Sequence, residues 1–314
     1  MKKILVIGAF GQVGTELVPA LRKKYGKENV VASDIKQPTR EQEEAGPADC
    51  FDAIEKNEME RVVEEHGIDT IYHLASILSA AGEKNPQHAY FVNNRSFHNV
   101  LEIARERKLE RVMFPSSIAV FGPETPRDNT PNETILKPST MYGISKVHGE
   151  LLGNYYFKKF GVDVRGLRYP GIISNVAPPG GGTTDYAVEI FYYAVKRQKY
   201  ACFLREDSGL PMMYMPDALK AIMQLAEADG AKLKHRADFN VTAMSFTPAQ
   251  LAQAIRQEIP EFAIEYKPDF RQAIADSWPH SIDDSAARRE WGWKPDYDLK
   301  AMTKDMIREL SKRL

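Results

Sequence analysis

The chain opens with a short, apolar, β-branched run, KILVI (3–7), that stops at Gly8. Glycines follow at fixed spacing, Gly8, Gly11 and Gly14 in GAFGQVG (8–14). Apolar residues then recur at helical intervals, Val13, Leu17, Val18 and Leu21. Strand, glycine turn and helix in that order constrain the fold more than any other feature of the chain, because the helix must fold back onto its own strand. Gly8 suits the tight turn, Gly11 lets backbone approach a pyrophosphate, and Gly14 permits close packing of helix on strand. The helix start offers unpaired N–H groups and a positive dipole end to phosphates. Phe10, Gln12 and Val13 lie in the same turn and count with the glycines as candidate cofactor-binding residues.

A second strand, VVASD (30–34), ends in Asp34. A carboxylate about twenty residues past the glycines is placed to accept hydrogen bonds from an adenosine ribose. Its charge repels a 2′-phosphate, which favours NAD over NADP, although Lys36 and Arg40 stand close enough to temper that preference. Ile35 and Asp52 are the further candidates on this side. A glycine-rich turn without a ligand is the alternative, disfavoured because strand, spacing, helix and acid agree.

Three more runs read as strands: DTIYHLA (69–75), RVMFPSS (111–117) and VDVRGLRY (162–169). Amphipathic helices fall between them, near 57–66, 88–107 and 141–160. The alternation predicts an α/β protein with a Rossmann-type, doubly wound parallel sheet covered on both faces. Beyond residue 170 proline and glycine cluster in NVAPPGGGTTD (175–185), a helix-like stretch follows at 184–198, and shorter elements succeed it. Residues 1–170 are therefore expected to form the NAD-binding domain. Residues 171–314 are expected to form a smaller, mainly substrate-binding α+β portion, with some segments returning to the first. The pocket should lie outside the carboxyl ends of the strands.

The length of 314 residues suits this organisation, and the net charge of -1 gives no reason to expect nucleic acid or an anionic membrane as partner. Two cysteines, Cys50 and Cys202, make neither a disulfide framework nor a zinc pattern. The seven histidines show no metal-ligand spacing, so no metal is expected. The N-terminal apolar run is too short for a signal peptide, and no run approaches a membrane span, so a cytoplasmic location is expected.

Tyr142 and Lys146 in MYGISK (141–146) stand four positions apart, on one face of a helix. An ammonium there favours the phenolate, and a phenol so tuned can move a proton near neutral pH. Alone, the pair is also what an exposed helix face carries. Beside a dinucleotide site it gains a purpose, because hydride transfer needs a group that removes the substrate hydroxyl proton. Ser116 and Ser117 end the preceding strand, where a serine can hydrogen-bond the substrate oxygen.

In order, GAFGQVG (8–14), Asp34, YHLAS (72–76), NNRSFHNVLE (93–102), FPSSIAVFG (114–122), YGISK (142–146) and RYPGII (168–173) resemble the extended short-chain dehydrogenase/reductase family. The resemblance covers the first 175 residues. It implies Tyr142 as catalytic base, Lys146 as the group that lowers its pKa, and Ser117, rather than Ser116, as the serine that positions the reacting hydroxyl. Asn93 resembles the family's supporting asparagine. Leu74, Ala75 and Ser76 resemble the turn along the cofactor, and Tyr169 and Pro170 the segment beside the nicotinamide.

Within that family several features resemble the L-threonine 3-dehydrogenases. Thr183, Thr184 and Asp185 sit between a glycine-rich loop and a helix, where hydroxyls and N–H groups suit a carboxylate and Asp185 suits an ammonium. The same three residues could simply cap the helix. Ser79, in SILSAAGE (76–83), is a candidate for the substrate carboxylate or for a cap. In DSGLPMMYMPDA (207–218), Pro211 and Met212 stand where nucleotide-sugar epimerases commonly carry an arginine–aspartate pair, which argues for a small substrate. Trp278, in DSWPHSIDDSAARREWGW (276–293), resembles a tryptophan that closes the pocket, with core packing as the alternative.

The resemblance thus implies NAD-dependent oxidation of the L-threonine 3-hydroxyl to 2-amino-3-oxobutanoate. A nucleotide-sugar epimerase is the second reading, and a non-catalytic NAD-sensing protein the third. A homodimer through a four-helix bundle is also implied, with Phe91, Leu101, Leu151, Leu152 and Tyr155 as contacts unless they face the sheet.

Overall fold

A computed structural model describes residues 1–178 and 180–314; Pro179, the first residue of the PGGG stretch, lies outside the described residues. The first part of the chain contains β1 (Ile4–Ile7), α1 (Gly14–Tyr25), β2 (Val30–Asp34), α2 (Arg40–Glu44), β3 (Ala48–Cys50), α3 (Lys56–Glu65) and β4 (Thr70–His73). It continues with α4 (Ser79–Gly82), α5 (Pro86–Glu106), β5 (Arg111–Ser117), α6 (Met141–Phe160), β6 (Val164–Tyr169) and β7 (Gly171–Ile173). The rest contains α7 (Tyr186–Val195), β8 (Tyr200–Cys202), β9 (Leu210–Tyr214), α8 (Met215–Glu227), β10 (Phe239–Asn240) and β11 (Met244–Phe246). The chain ends with α9 (Pro248–Glu258), β12 (Ile264–Tyr266), α10 (Arg271–Ala275), α11 (Ser285–Trp291) and α12 (Leu299–Ser311).

Seven parallel strands form the central sheet in the order β10-β6-β5-β4-β1-β2-β3. Strand β1 is buried at every position because helices cover both faces, which is why it reads as an unbroken apolar run. On one face Val62, Phe97 and Val100 of α3 and α5 pack on the sheet. On the other, α1 packs beside Ala218 and Ile222 of α8 and Trp293, so later segments cover the first sheet. The strand order reverses beside β1, and Ile7 is in register with both Ser33 and His73. That register sets Gly8, Asp34 and Leu74 at one edge, the switch point where doubly wound sheets bind ligands.

The remaining strands form two small sheets, β11-β9-β7 and β12-β8. Helices α7, α9 and α12 share an apolar core with them, which also receives Tyr142 and Trp278.

Helix α6 carries the candidate base. Thr140 caps its start by accepting from Gly143 N at 3.1 Å, and Gly161, at φ +72°, ends it in the left-handed region. A Cβ on Gly149 would lie 2.3 Å from the Phe114 ring, so this glycine is what lets α6 lie down on β5. Some boundaries differ from those the sequence suggests. The run at 69–75 pairs only over Thr70–His73, and the helix expected at 184–198 extends over Tyr186–Val195. Strand β3 carries no sequence signal, because three half-buried residues at a sheet edge leave no apolar run.

Candidate active site

A cleft of about 530 Å³ opens at the carboxyl edge of the central sheet. It runs from the glycine turn past Leu74 and Ser76 to Ser117, Tyr142 and Lys146, then to Thr183–Asp185 and Trp278.

At the first end, Gly8 has φ +83°, and a Cβ there would meet Ala75 N at 2.7 Å. A Cβ on Gly14 would meet the Gly8 carbonyl oxygen at 2.5 Å. Only glycine fits at either position. Helix α1 starts without a side-chain cap; Thr15 N and Glu16 N bond the Gly11 and Val13 carbonyls at 3.0 and 3.3 Å, and Gln12, Val13 and Gly14 at the helix start line the cleft. Gln12 Nε2 and Ser76 Oγ are buried on residues of the cleft wall and have no hydrogen-bond partner in the protein. Unpaired buried polar atoms are costly, and phosphate and ribose oxygens are the partners that would satisfy these two. The residues present therefore fit a dinucleotide.

Other candidates on this side stand behind the wall. Asp34 accepts from Phe10 N at 3.0 Å and from Lys36 N at 3.2 Å, bracing the turn. Asn93 accepts from Ile77 N at 2.8 Å and donates to Ile77 O at 3.1 Å, bracing the loop after β4. Ala75 packs against Gly8. Ile35 is exposed, and Asp52 accepts from Ile54 N at 3.1 Å. Lys36, Val13, Leu74, Tyr169 and Pro170 do line the cleft. Tyr169 also donates its hydroxyl to Ala218 O at 2.6 Å.

In the middle, Ser117 is the last residue of β5, and its Oγ accepts from Ala119 N at 3.2 Å. Lys146 donates from Nζ to the Pro115 carbonyl at 2.7 Å. It lies 4.8 Å from the Phe114 ring centroid and 5.4 Å from that of Tyr142. Burial pulls Lys146 down to about 8, opposed by the Glu150 carboxylate. Burial likewise pushes the Tyr142 phenol up to about 12, and the group that opposes this is the Ser117 hydroxyl. In the protein alone, burial of the phenol outweighs the Ser117 hydrogen bond that favours the phenolate. The ammonium is itself desolvated and lies beside the ring, so desolvation of the phenolate dominates.

At the far end, Ser79 Oγ and Thr183 Oγ1 lie 3.1 Å apart, both buried. Asp185 occupies the N-cap position of α7 but makes no side-chain cap; one oxygen accepts from Gly181 N and Gly182 N, both at 2.8 Å. Burial raises its pKa against those two donors. Thr184 lines the cleft and packs against Gly171. Trp278 is buried, lines the cleft and belongs to the core around Tyr142, so packing and wall are one position. Pro211 and Met212 are buried in β9. The sequence had not pointed to the apolar wall residues Leu78 and Ile118, nor to the Pro115 carbonyl, none of which has a local signature.

Among the described residues no helix is long and apolar enough to cross a membrane. One carboxylate–histidine group, Asp49, Glu65 and His66, lies outside the cleft. Arg61 pairs with its Asp49 at 3.1 Å and its Glu65 at 2.7 Å.

The pattern of the NAD dependent epimerase/dehydratase family matches residues 4–242. An uncharacterized epimerase/dehydratase of Staphylococcus saprophyticus is 51% identical over 309 residues, which cover 98% of this chain and 96% of that protein. The holo form of a GalE-like L-threonine dehydrogenase from Cupriavidus necator superposes with a TM-score of 0.96 at 54% identity, covering 98% of this chain and 99% of that one. An L-threonine dehydrogenase structure from Clostridium difficile gives a TM-score of 0.96 at 50% identity, covering 100% of this chain and 98% of that one. The cofactor is NAD, and the chain belongs to the NAD dependent epimerase/dehydratase family of extended short-chain dehydrogenases/reductases.

Proposed function

We propose that the protein oxidises the 3-hydroxyl of L-threonine to 2-amino-3-oxobutanoate, with NAD as acceptor. The observation that carries this reading is the single cleft in which Ser117, Tyr142 and Lys146 stand between a dinucleotide turn and the paired hydroxyls of Ser79 and Thr183. The similarity to structures named L-threonine dehydrogenases supports it.

Gln12, Ser76 and the start of α1 would hold the dinucleotide, with the glycine turn against its pyrophosphate. NAD supplies the hydride acceptor and a positive charge at its nicotinamide. Ser117 hydrogen-bonds the substrate hydroxyl and orients it. Tyr142 takes the hydroxyl proton as the C3–H bond breaks and the C3–O double bond forms. Lys146 keeps a positive charge beside the phenolate. Ser79 and Thr183 hold the substrate carboxylate, and the free oxygen of Asp185 pairs with its ammonium. Trp278 closes the pocket and excludes water.

A nucleotide sugar would need a cation for its diphosphate, and β9 presents buried Pro211 and Met212 instead. In this reading residues 1–170 chiefly hold NAD and 171–314 chiefly hold substrate. Tyr90, Phe91, Leu151 and Tyr155 on α5 and α6 are exposed, whereas Leu101 is buried and Leu152 packs on the core. The exposed set would pair two copies into a four-helix bundle.

L-Threonine deuterated at carbon 3 tests the chemistry. Its deuterium should appear in the reduced cofactor by mass spectrometry. Turnover with the label left on the carbon product would overturn the assignment.

A further inference from the structure

Directly behind the cleft lies a buried polar cluster. Glu150 follows Lys146 by one turn on the same face of α6, as Lys146 follows Tyr142. Its Oε1 accepts from the Ser116 hydroxyl at 2.5 Å and from Arg168 Nε at 2.9 Å, and its Oε2 from Arg168 Nη2 at 2.8 Å. Arg168 is equally buried and donates from Nη1 to Asn132 O at 2.8 Å and Asn240 Oδ1 at 3.2 Å. Sheet register sets Ser116 opposite Arg168.

A buried ion pair seldom stabilises a fold more than apolar residues of the same volume. This one stands where it acts on the site. Three consecutive residues at the end of β5 are each met by a residue of α6. Lys146 holds the Pro115 carbonyl, Glu150 holds the Ser116 hydroxyl, and Tyr142 faces Ser117.

The groups around Lys146 leave it one counter-charge. On α6 it lies beside Tyr142 and one turn from Glu150, whose carboxylate acts on it through space, and from β5 it meets the Phe114 ring and the Pro115 carbonyl. From β4 it meets His73, which burial holds uncharged, pulled down to about 3. Burial pushes the Glu150 carboxyl up, as does Asp238 just before β10, and Arg168 from β6 and the Ser116 hydroxyl from β5 oppose this by favouring the carboxylate, while Glu133 faces Arg168. Among the described residues facing Lys146, Glu150 is the one anion.

We propose that Glu150 is a positioning residue of the site: its buried carboxylate, fixed by Arg168 and Ser116, is the counter-charge that keeps Lys146 an ammonium, and it clamps the end of β5 so that Ser117 meets Tyr142. The inference rests on the dehydrogenase reading for what Lys146 does in turnover. Its test concerns the lysine alone, so the two can fail separately.

Trace acetic anhydride labels only neutral amines, so labelling of Lys146 against pH, read by mass spectrometry on the protein without cofactor, reports its ionisation. Glu150→Gln keeps the shape and the Ser116 contact but removes the charge, and the Lys146 midpoint should fall by roughly one pH unit or more. Glu150→Asp keeps the charge and should leave the midpoint near that of the unaltered protein. Where Glu150→Gln alone fails to fold, E150Q/R168Q removes both buried charges together, a change such pairs tolerate; losing the Arg168 cation offsets part of the effect, so the midpoint should fall by less than in Glu150→Gln. An unchanged midpoint in either folded protein overturns the proposal. So does an equal fall in Glu150→Asp, which would make Glu150 a packing residue.

Discussion

The Lys146 ammonium lies beside the Tyr142 ring, 5.4 Å from its centroid, and gives its hydrogen bond to the Pro115 carbonyl at 2.7 Å. Any effect of its charge on a phenolate is therefore through space, and in the proposed mechanism Tyr142 is the group that moves the proton. Tyr142→Phe should lower kcat roughly 10²- to 10⁴-fold, the usual contribution of a general base. NADH affinity, read by fluorescence titration, should change little. Near-normal turnover in this variant would remove Tyr142 from the mechanism.

Burial holds Tyr142 near 12 and Lys146 near 8 in the protein alone. A positive charge brought into the cleft favours the deprotonated form of both groups, since it attracts phenolate and repels ammonium. Both shifts run downward, so binding NAD should release protons in the region of pH 8, where Lys146 already titrates. NADH, whose ring is uncharged, should release fewer. A pH-indicator dye in weak buffer measures the difference. Equal release by the two forms would mean that the nicotinamide charge does not reach these residues.

Gly14 has no room for a side chain, with the Gly8 carbonyl oxygen 2.5 Å from where its Cβ would be. Gly14→Ala should push α1 off β1 and destabilise the fold by about 3 kcal/mol. The same displacement moves the helix start away from a bound pyrophosphate, so NADH affinity should fall as well. Thermal unfolding and NADH titration check the two effects together; an alanine variant with normal Tm and affinity would contradict the described turn.

Ser79 and Thr183 touch, so their substitutions should not act independently. Ser79→Ala and Thr183→Val should each raise the KM for L-threonine about tenfold, the loss of one hydrogen bond to a charged group, with NADH affinity unchanged. The double variant should raise it by clearly less than the product of the two. A full product would show that the hydroxyls serve separate sites.

How legible this was depends on how local each signal is. Strand β5 and helix α6 occupy the residues expected of them, 111–117 and 141–160, the helix because Thr140 and Gly161 cap its two ends. The glycine turn and Asp34 follow from spacing along the chain. The contact between Ser79 and Thr183 spans 104 positions and exists only through tertiary packing. Glu150 looks like any polar residue on a helix until β6 brings Arg168 against it. The phenol of Tyr142 shows the same limit. Spacing identifies the lysine beside it, but the burial that pushes the phenol up comes from the assembled cleft. Strand β3 has too few buried residues to announce itself.

Leu151 is 65% exposed on α6, and Tyr155 one turn later and Phe91 on α5 are each about half exposed. If two copies pair through this face, Leu151→Glu should place a charge in the apolar bundle and yield monomers in sedimentation at micromolar concentration. A dimer that survives the substitution would place the interface elsewhere.

The most direct measurement is absorbance at the NADH wavelength, with purified protein and NAD, for L-threonine beside L-serine, L-allo-threonine and UDP-galactose. NADH should form with L-threonine and not with UDP-galactose. Conversion of UDP-galactose to UDP-glucose, with no NADH from any amino acid, would contradict the dehydrogenase assignment and establish an epimerase in its place.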